Sequence, residues 1–274
     1  MPLTFRALEA NITGSVKLAT SGTPYSINLK YRKNHGNWED YTINTTIQLN
    51  PGECVSFSGD TEHFSKATSA HYYYVTSGAK MELYGNVMSL VNNLSAIRDD
   101  GEFLCLFYNC SNIVNAERFY LPSKSVRPKC YYCMFGQCYS LTKSPKLLPA
   151  TILATECYEG MFIDCSALTS TPQLPAIDLA PICYSWMFYG CHSLSTAPDL
   201  PATGLYGYCY QRMFSDCPKL NYMNVGLTSW TEVSTATENW LSGVANTGKF
   251  YKPSILTTTR GVSYIPSGWT VENK

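Results

Sequence analysis

The chain has 274 residues, of which 20 are basic and 20 acidic, so its formal net charge is zero and only 15% of it is charged. Phosphate recognition needs concentrated Lys and Arg, which argues against a nucleic-acid binder, and the length suffices for a buried core in one large or two modest domains. Tyrosine is the outlier at 21 residues, and its amphipathic ring serves both cores and contact surfaces.

Met1-Pro2-Leu3-Thr4-Phe5-Arg6 has no basic-then-apolar leader, and no run of about 18 apolar residues occurs anywhere. The expectation is synthesis and folding in a cytosol without a visible signal peptide, and no insertion into a membrane. Residues 1–87 carry period-two patterns at Ser15-Val16-Lys17-Leu18-Ala19, Ile27-Asn28-Leu29-Lys30-Tyr31 and Cys54-Val55-Ser56-Phe57. Turn-forming Ser21-Gly22-Thr23-Pro24, Asn34-His35-Gly36-Asn37 and Asn50-Pro51-Gly52 separate them, which predicts a small antiparallel β-sandwich. His71-Tyr72-Tyr73-Tyr74-Val75 and Met81-Glu82-Leu83-Tyr84-Gly85-Asn86 read as a closing hairpin around Ser77-Gly78.

From Met88 the apolar residues Leu90, Val91, Leu94 and Ile97 follow a helical spacing, which predicts an N-terminal cap for what comes next. That is a repeat, C-Y-x-x-M-F-x-x-C-x-x-L, starting at Cys130, Cys157, Cys183 and Cys209, with Leu-Pro recurring at 121–122, 148–149, 174–175 and 200–201. A period of 26 or 27 residues means a stacked array, here residues 88–225. A degenerate first copy, Leu106-Phe107-Tyr108-Asn109-Cys110, has Glu102 at the first Cys position. In the copy from Leu153 to Cys165 the apolar residues recur every fourth position, which predicts a short helix with one buried face. The Leu-Pro stretch predicts a brief extended segment with its prolines at the strand ends. Residues 226–274, with Trp240 and Trp269, read as a C-terminal cap.

The fixed letters form ladders. Cys130, Cys157, Cys183 and Cys209 would stack on one another, as would Cys138, Cys165, Cys191 and Cys217, Met134, Met161, Met187 and Met213, and Phe135, Phe162, Phe188 and Phe214. A buried free Cys acts as a small hydrophobe. A zinc site needs four ligands, usually as two close pairs, and Cys130-Tyr131-Tyr132-Cys133 is one pair only; neither metal nor cofactor is expected. Cys105 and Cys133 hold equivalent places in adjacent copies and are the candidates for a disulfide on oxidation. His35, His63, His71 and His192 are scattered, and Asp99-Asp100 and Glu39-Asp40 sit in polar contexts, so no catalytic residue is assigned and the chain reads as a non-enzyme.

The unit C-x-x-L, then L-P, then an apolar stretch ending M-F-x-x-C resembles the BspA-like (Treponema pallidum type) leucine-rich repeat, usually written with A-F in place of M-F. Gly85-Asn86-Val87-Met88-Ser89-Leu90, Val244-Ala245-Asn246-Thr247-Gly248-Lys249-Phe250 and Ile265-Pro266-Ser267-Gly268-Trp269-Thr270-Val271 are similar to segments of repeat proteins from gut Bacteroides-type bacteria or their phages. The resemblance implies an α+β fold, an N-terminal β-sandwich followed by a leucine-rich-repeat α/β solenoid of about four and a half units with a C-terminal cap. It also implies adhesion or surface recognition.

Positions where the copies disagree are candidates for that work, because packing does not dictate them. Tyr132, Tyr139, Glu159, Asp164, Trp186, Tyr189, His192, Gln211 and Arg212 form the candidate binding face. Residues 118–146 hold six bases and no acid, and 156–199 five acids and no base, which predicts an array electrically polar along its axis. The function expected is that of a virion or phage-tail protein meeting a bacterial surface glycan or protein through the array, with the N-terminal domain attached to other virion proteins. The alternative is a cell-surface adhesin whose export signal is missing.

Overall fold

The computed structural model describes residues 1–22, 27–61, 64, 71–92, 94–230 and 235–274. Thr23 and Pro24 of the first expected turn, and His63, lie outside them.

Among the described residues there are twelve strands and one short 3-10 helix: β1 Leu3–Ala7, β2 Gly14–Ser21, β3 Leu29–Lys33, β4 Glu39–Tyr41, β5 Ile47–Leu49, β6 Cys54–Gly59, β7 Tyr72–Ser77, β8 Met81–Asn86, β9 Ile113–Tyr120, β10 Tyr222–Asn224, β11 Gly248–Lys252 and β12 Trp269–Asn273. One sheet has the order β4-β3-β6-β1-β8-β9 and a second the order β5-β2-β7. Alternation explains the pairing of the two: Val16 and Leu18 of β2 and Phe5, Phe57 and Leu83 of the larger sheet are buried in one shared core. Ser89 ties the 3-10 helix Val87–Val91 beneath it, accepting from Leu3 N at 2.9 Å and donating to Phe57 O at 3.1 Å.

Strands β7 and β8 are not a hairpin. β7 pairs antiparallel with β2 in the small sheet, whereas β8 pairs with β1 in the large one, so the chain crosses between sheets at 77–81. The apolar segment around Met88 forms a 3-10 helix, Val87–Val91, which ends at Asn92, left-handed with φ 51°.

The expected α+β fold with helices in an α/β solenoid is overturned. Among the described residues there is no α-helix, and the helix predicted over 153–165 is a run of tight turns. Its hydrogen bonds show why. Around residue 133 the even-numbered amides bond three residues back within the same rung, as in Met134 N to Tyr131 O at 3.2 Å and Gly136 N to Cys133 O at 2.9 Å. The odd-numbered amides donate to the next rung, as in Tyr131 N to Cys157 O at 3.0 Å and Phe135 N to Met161 O at 2.9 Å. An α-helix advances about 100° per residue, so a strict four-residue recurrence would drift by about 40° each step. A four-residue turn keeps the stripe in register instead. Each turn includes one residue at positive φ, such as Lys129, Cys133 and Gln137 in one rung and Glu156, Gly160 and Asp164 in the next.

The stripe packs as stacked columns. Phe135, Phe162, Phe188 and Phe214 are 5.5, 5.5 and 5.4 Å apart in turn, within 8° of parallel, and Tyr131, Tyr158, Tyr184 and Tyr210 follow at 5.4, 5.8 and 6.0 Å. The Cys, Met and Leu positions beside them are completely buried. Phe103 continues the tyrosine column at one end and Trp240 covers Tyr210 at the other.

The extended segments show the cost of proline. Between the array's ends they make only single parallel bridges, such as Leu147 with Gln173 and Leu200 with Val225, because Pro145, Pro149, Pro172, Pro175, Pro198 and Pro201 offer no amide. True strands occur where proline is absent. β8 pairs with β9 in parallel at one end, and β10-β11-β12 is a separate all-parallel sheet at the other. The array was expected to span residues 88–225. It continues for another rung, with Arg212 N on Glu238 O, Phe214 N on Trp240 O and Asp216 N on Ser242 O.

Candidate functional site

The turns place the variable pairs on one face, but the backbone constrains them more than expected. In each pair the second residue is left-handed: Cys133, Gly160, Trp186 and Arg212 in one row, and Gln137, Asp164, Gly190 and Asp216 in the other. Gly, Asp and Asn tolerate this conformation, whereas other L-residues are disfavoured by about 1–2 kcal/mol each. Gly190, at φ 69°, also leaves room for the Asp164 carboxylate, which a Cβ there would force to shift. Trp186 at φ 57° is a bulky side chain held where the backbone resists it.

That side chain anchors the densest part of the face. The Trp186 and Tyr189 rings lie 4.8 Å apart, tilted by 48°, and the Arg212 guanidinium sits 4.9 Å from the centre of a Trp186 ring. A hydrogen bond to the Asp216 carboxylate raises the Tyr189 phenol above its usual pKa, and Asp164 adds to the effect. All of these side chains except exposed Asp216 are half-buried. Gln211 is engaged beside them, its Nε2 donating to Glu238 Oε2 at 3.0 Å. The cluster offers an aromatic platform flanked by carboxylates, an amide and a guanidinium.

Tyr132 and Glu159 belong to a second group, two rungs and one rung from Trp186 respectively. Burial, and then repulsion from Glu156, push the Glu159 carboxyl up to about 7, although Glu156 itself pairs with Lys129 at 3.1 Å. Burial raises Tyr132, with Cys133 and Glu159 contributing. Tyr108, whose ring lies where a Cβ on Gly136 would fall, and Tyr72 from β7 stand near Cys105, so this group spans the junction with the N-terminal sheets. Exposed Tyr139 lies within electrostatic range of Tyr108. His192 is exposed on the following turn and joins neither group.

All twelve cysteines are free thiols. Those of the second ladder bond backward to carbonyls, as in Cys165 Sγ to Phe135 O at 3.0 Å and Cys191 Sγ to Phe162 O at 3.2 Å. Among the described residues, no three His, Cys, Asp or Glu side chains converge as a metal site requires. The expected axial charge is partly cancelled, since Arg118 pairs with Glu82 at 2.8 Å, Arg127 with Asp100 at 3.1 Å and Lys146 with Glu117 at 3.6 Å.

A different face escaped the sequence reading. Along the Leu-Pro side Tyr120, Ile152 and Ile177 are 62%, 64% and 60% exposed, and a concavity of about 250 Å³ lies between Tyr120, Pro122, Leu147 and Pro149. The residue preceding each Leu-Pro, Tyr120, Leu147, Gln173 and Asp199 in turn, was the available signal. No family model matches the chain, and no curated protein or solved structure matches it.

Proposed function

We propose that the chain is a non-enzymatic recognition protein, carried on a phage particle or a bacterial cell, that binds a surface glycan through its turn face. The observation that carries this reading is the Trp186–Tyr189–Arg212 cluster. It holds a large aromatic side chain half-exposed on the turn face, in contact with a second aromatic ring and a guanidinium and outside the buried columns. An aromatic face ringed by Asp164, Asp216 and Gln211 suits a sugar, which stacks its apolar face on a ring and offers hydroxyls to planar polar groups. The test is binding of the full-length protein to intact bacterial cells, comparing wild type with Trp186→Ala and Tyr189→Ala. Binding that falls at least tenfold in both supports the reading, and unchanged binding in both contradicts it.

A further inference from the structure

We propose that Cys105 and Cys133 are the one thiol pair in the array built to close into a disulfide, a clasp between the first rung and the second. The residues are 28 positions apart in sequence and occupy the same place in successive rungs, both left-handed, with φ 56° and 48°. Phe103 N donates to Cys130 O, Cys105 N to Tyr132 O and Phe107 N to Met134 O, each at 2.9 Å, so the two rungs are in register on both sides of Cys105. Rungs joined in this way stand about 4.8 Å apart, within the range of about 4.4 to 6.8 Å that a disulfide spans between α-carbons. Cys133 Sγ lies over Gly160, 2.8 Å from where a Cβ would stand, so the next rung leaves the thiol open space rather than a side chain. Cys133 stands near enough to Cys105 to act on it electrostatically, and closure requires the Cys133 sulfur to turn about its Cα–Cβ bond toward Cys105.

Access separates Cys133 from the rest. Cys133 is half-buried, whereas the other eleven cysteines are buried. Cys138, Cys165, Cys191 and Cys217 direct their thiols at carbonyls of the preceding rung, at 3.0–3.2 Å. The oxidant is a small soluble disulfide such as oxidised glutathione. The Cys133 thiolate attacks one of its sulfurs, releasing one glutathione thiolate and leaving a mixed disulfide. The Cys105 thiolate then attacks Cys133 Sγ, releasing the second glutathione; two protein thiols are oxidised and one external disulfide is reduced.

Burial first, then Cys133 for Cys105 and Glu159 for Cys133, push both thiols up to about 12, with Tyr132, Tyr108 and Tyr72 the other titratable groups around the pair. The clasp therefore forms slowly at neutral pH and about tenfold faster per pH unit on the alkaline side. Glu159→Gln should speed it.

The test is to treat the full-length folded protein with oxidised glutathione at mildly alkaline pH, then map disulfides by non-reducing mass spectrometry with fragmentation. The expected result is a Cys105–Cys133 bridge, prevented by Cys133→Ser and by Cys105→Ser. It should come with a melting temperature raised by roughly 5 °C or more and restored by reductant. Because the mapping uses the wild-type protein, a poorly folded variant does not blur the answer. A bridge between any other pair, or a glutathione adduct at Cys133 that never resolves, overturns the proposal. So does a protein that stays fully reduced.

Discussion

The N-terminal sheets and the turn array solve the same problem, satisfying backbone amides around a buried core, in opposite ways. In the sheets the amides pair between strands distant in sequence, and a period of two sorts side chains inward, as with Val16 and Leu18 against Phe5 and Phe57. In the array half the amides close local turns and half reach the next rung, and a period of four builds the columns. A rung cannot exist alone, because its outward-donating amides and the flat faces of Phe162 or Tyr158 are satisfied only by its neighbours. The sheets have one shared core, whereas the array's core is a line of nearest-neighbour contacts.

The largest test of that contrast truncates one buried ring in each region. Phe57→Ala and Phe162→Ala should each cost about 3–5 kcal/mol in urea unfolding. Phe57→Ala should shift a single transition, while Phe162→Ala should split it, with hydrogen exchange rising in the rungs beside residue 162. Equal cooperativity in both would break the comparison.

The next effect is electrostatic. The Glu159 carboxyl titrates near 7 in the folded protein and near its ordinary 4.5 when unfolded, so between these values the folded state binds more protons and stability falls as pH rises. The loss should be on the order of 1–2 kcal/mol after allowance for solvent screening. Glu159→Gln should remove that fall between pH 5 and pH 8, measured as melting temperature against pH.

Smaller effects probe the turn conformation and the columns. Ile182, β-branched at φ 60°, is the residue least suited to its position, and Ile182→Asn should stabilise by about 1 kcal/mol in thermal melts. The Tyr158 hydroxyl is buried with no hydrogen-bond partner among the described residues, so Tyr158→Phe should cost nothing or stabilise by up to about 1 kcal/mol.

Much of this was legible in the residues, though not all. The alternation of Ser15-Val16-Lys17-Leu18-Ala19 is the pattern that β2 buries, and the recurring Cys-Tyr and Met-Phe letters are the positions that stack. The four-residue stripe was read as a helix because apolar spacing of three or four residues is what amphipathic helices show. The distinguishing sign was the strictness of the four, together with Gly160, Asp164, Gly190 and Asp216 recurring at left-handed positions. The parting of β7 from β8, and the parallel pairing of β8 with β9, depend on contacts that no local pattern encodes. On the candidate face, Trp186, Tyr189 and Arg212 were all named from their variability. Their mutual contact was not foreseeable, since Arg212 lies one rung beyond the other two. The apolar Leu-Pro side was passed over because its leucines and prolines read as packing alone.

The most direct test of the account is a bacterial glycan array probed with the full-length protein, with Trp186→Ala on the turn face and Ile177→Ala on the Leu-Pro side. The account predicts saturable binding to at least one glycan by wild type and Ile177→Ala, lost in Trp186→Ala. Binding that survives Trp186→Ala, or that Ile177→Ala abolishes instead, would contradict it.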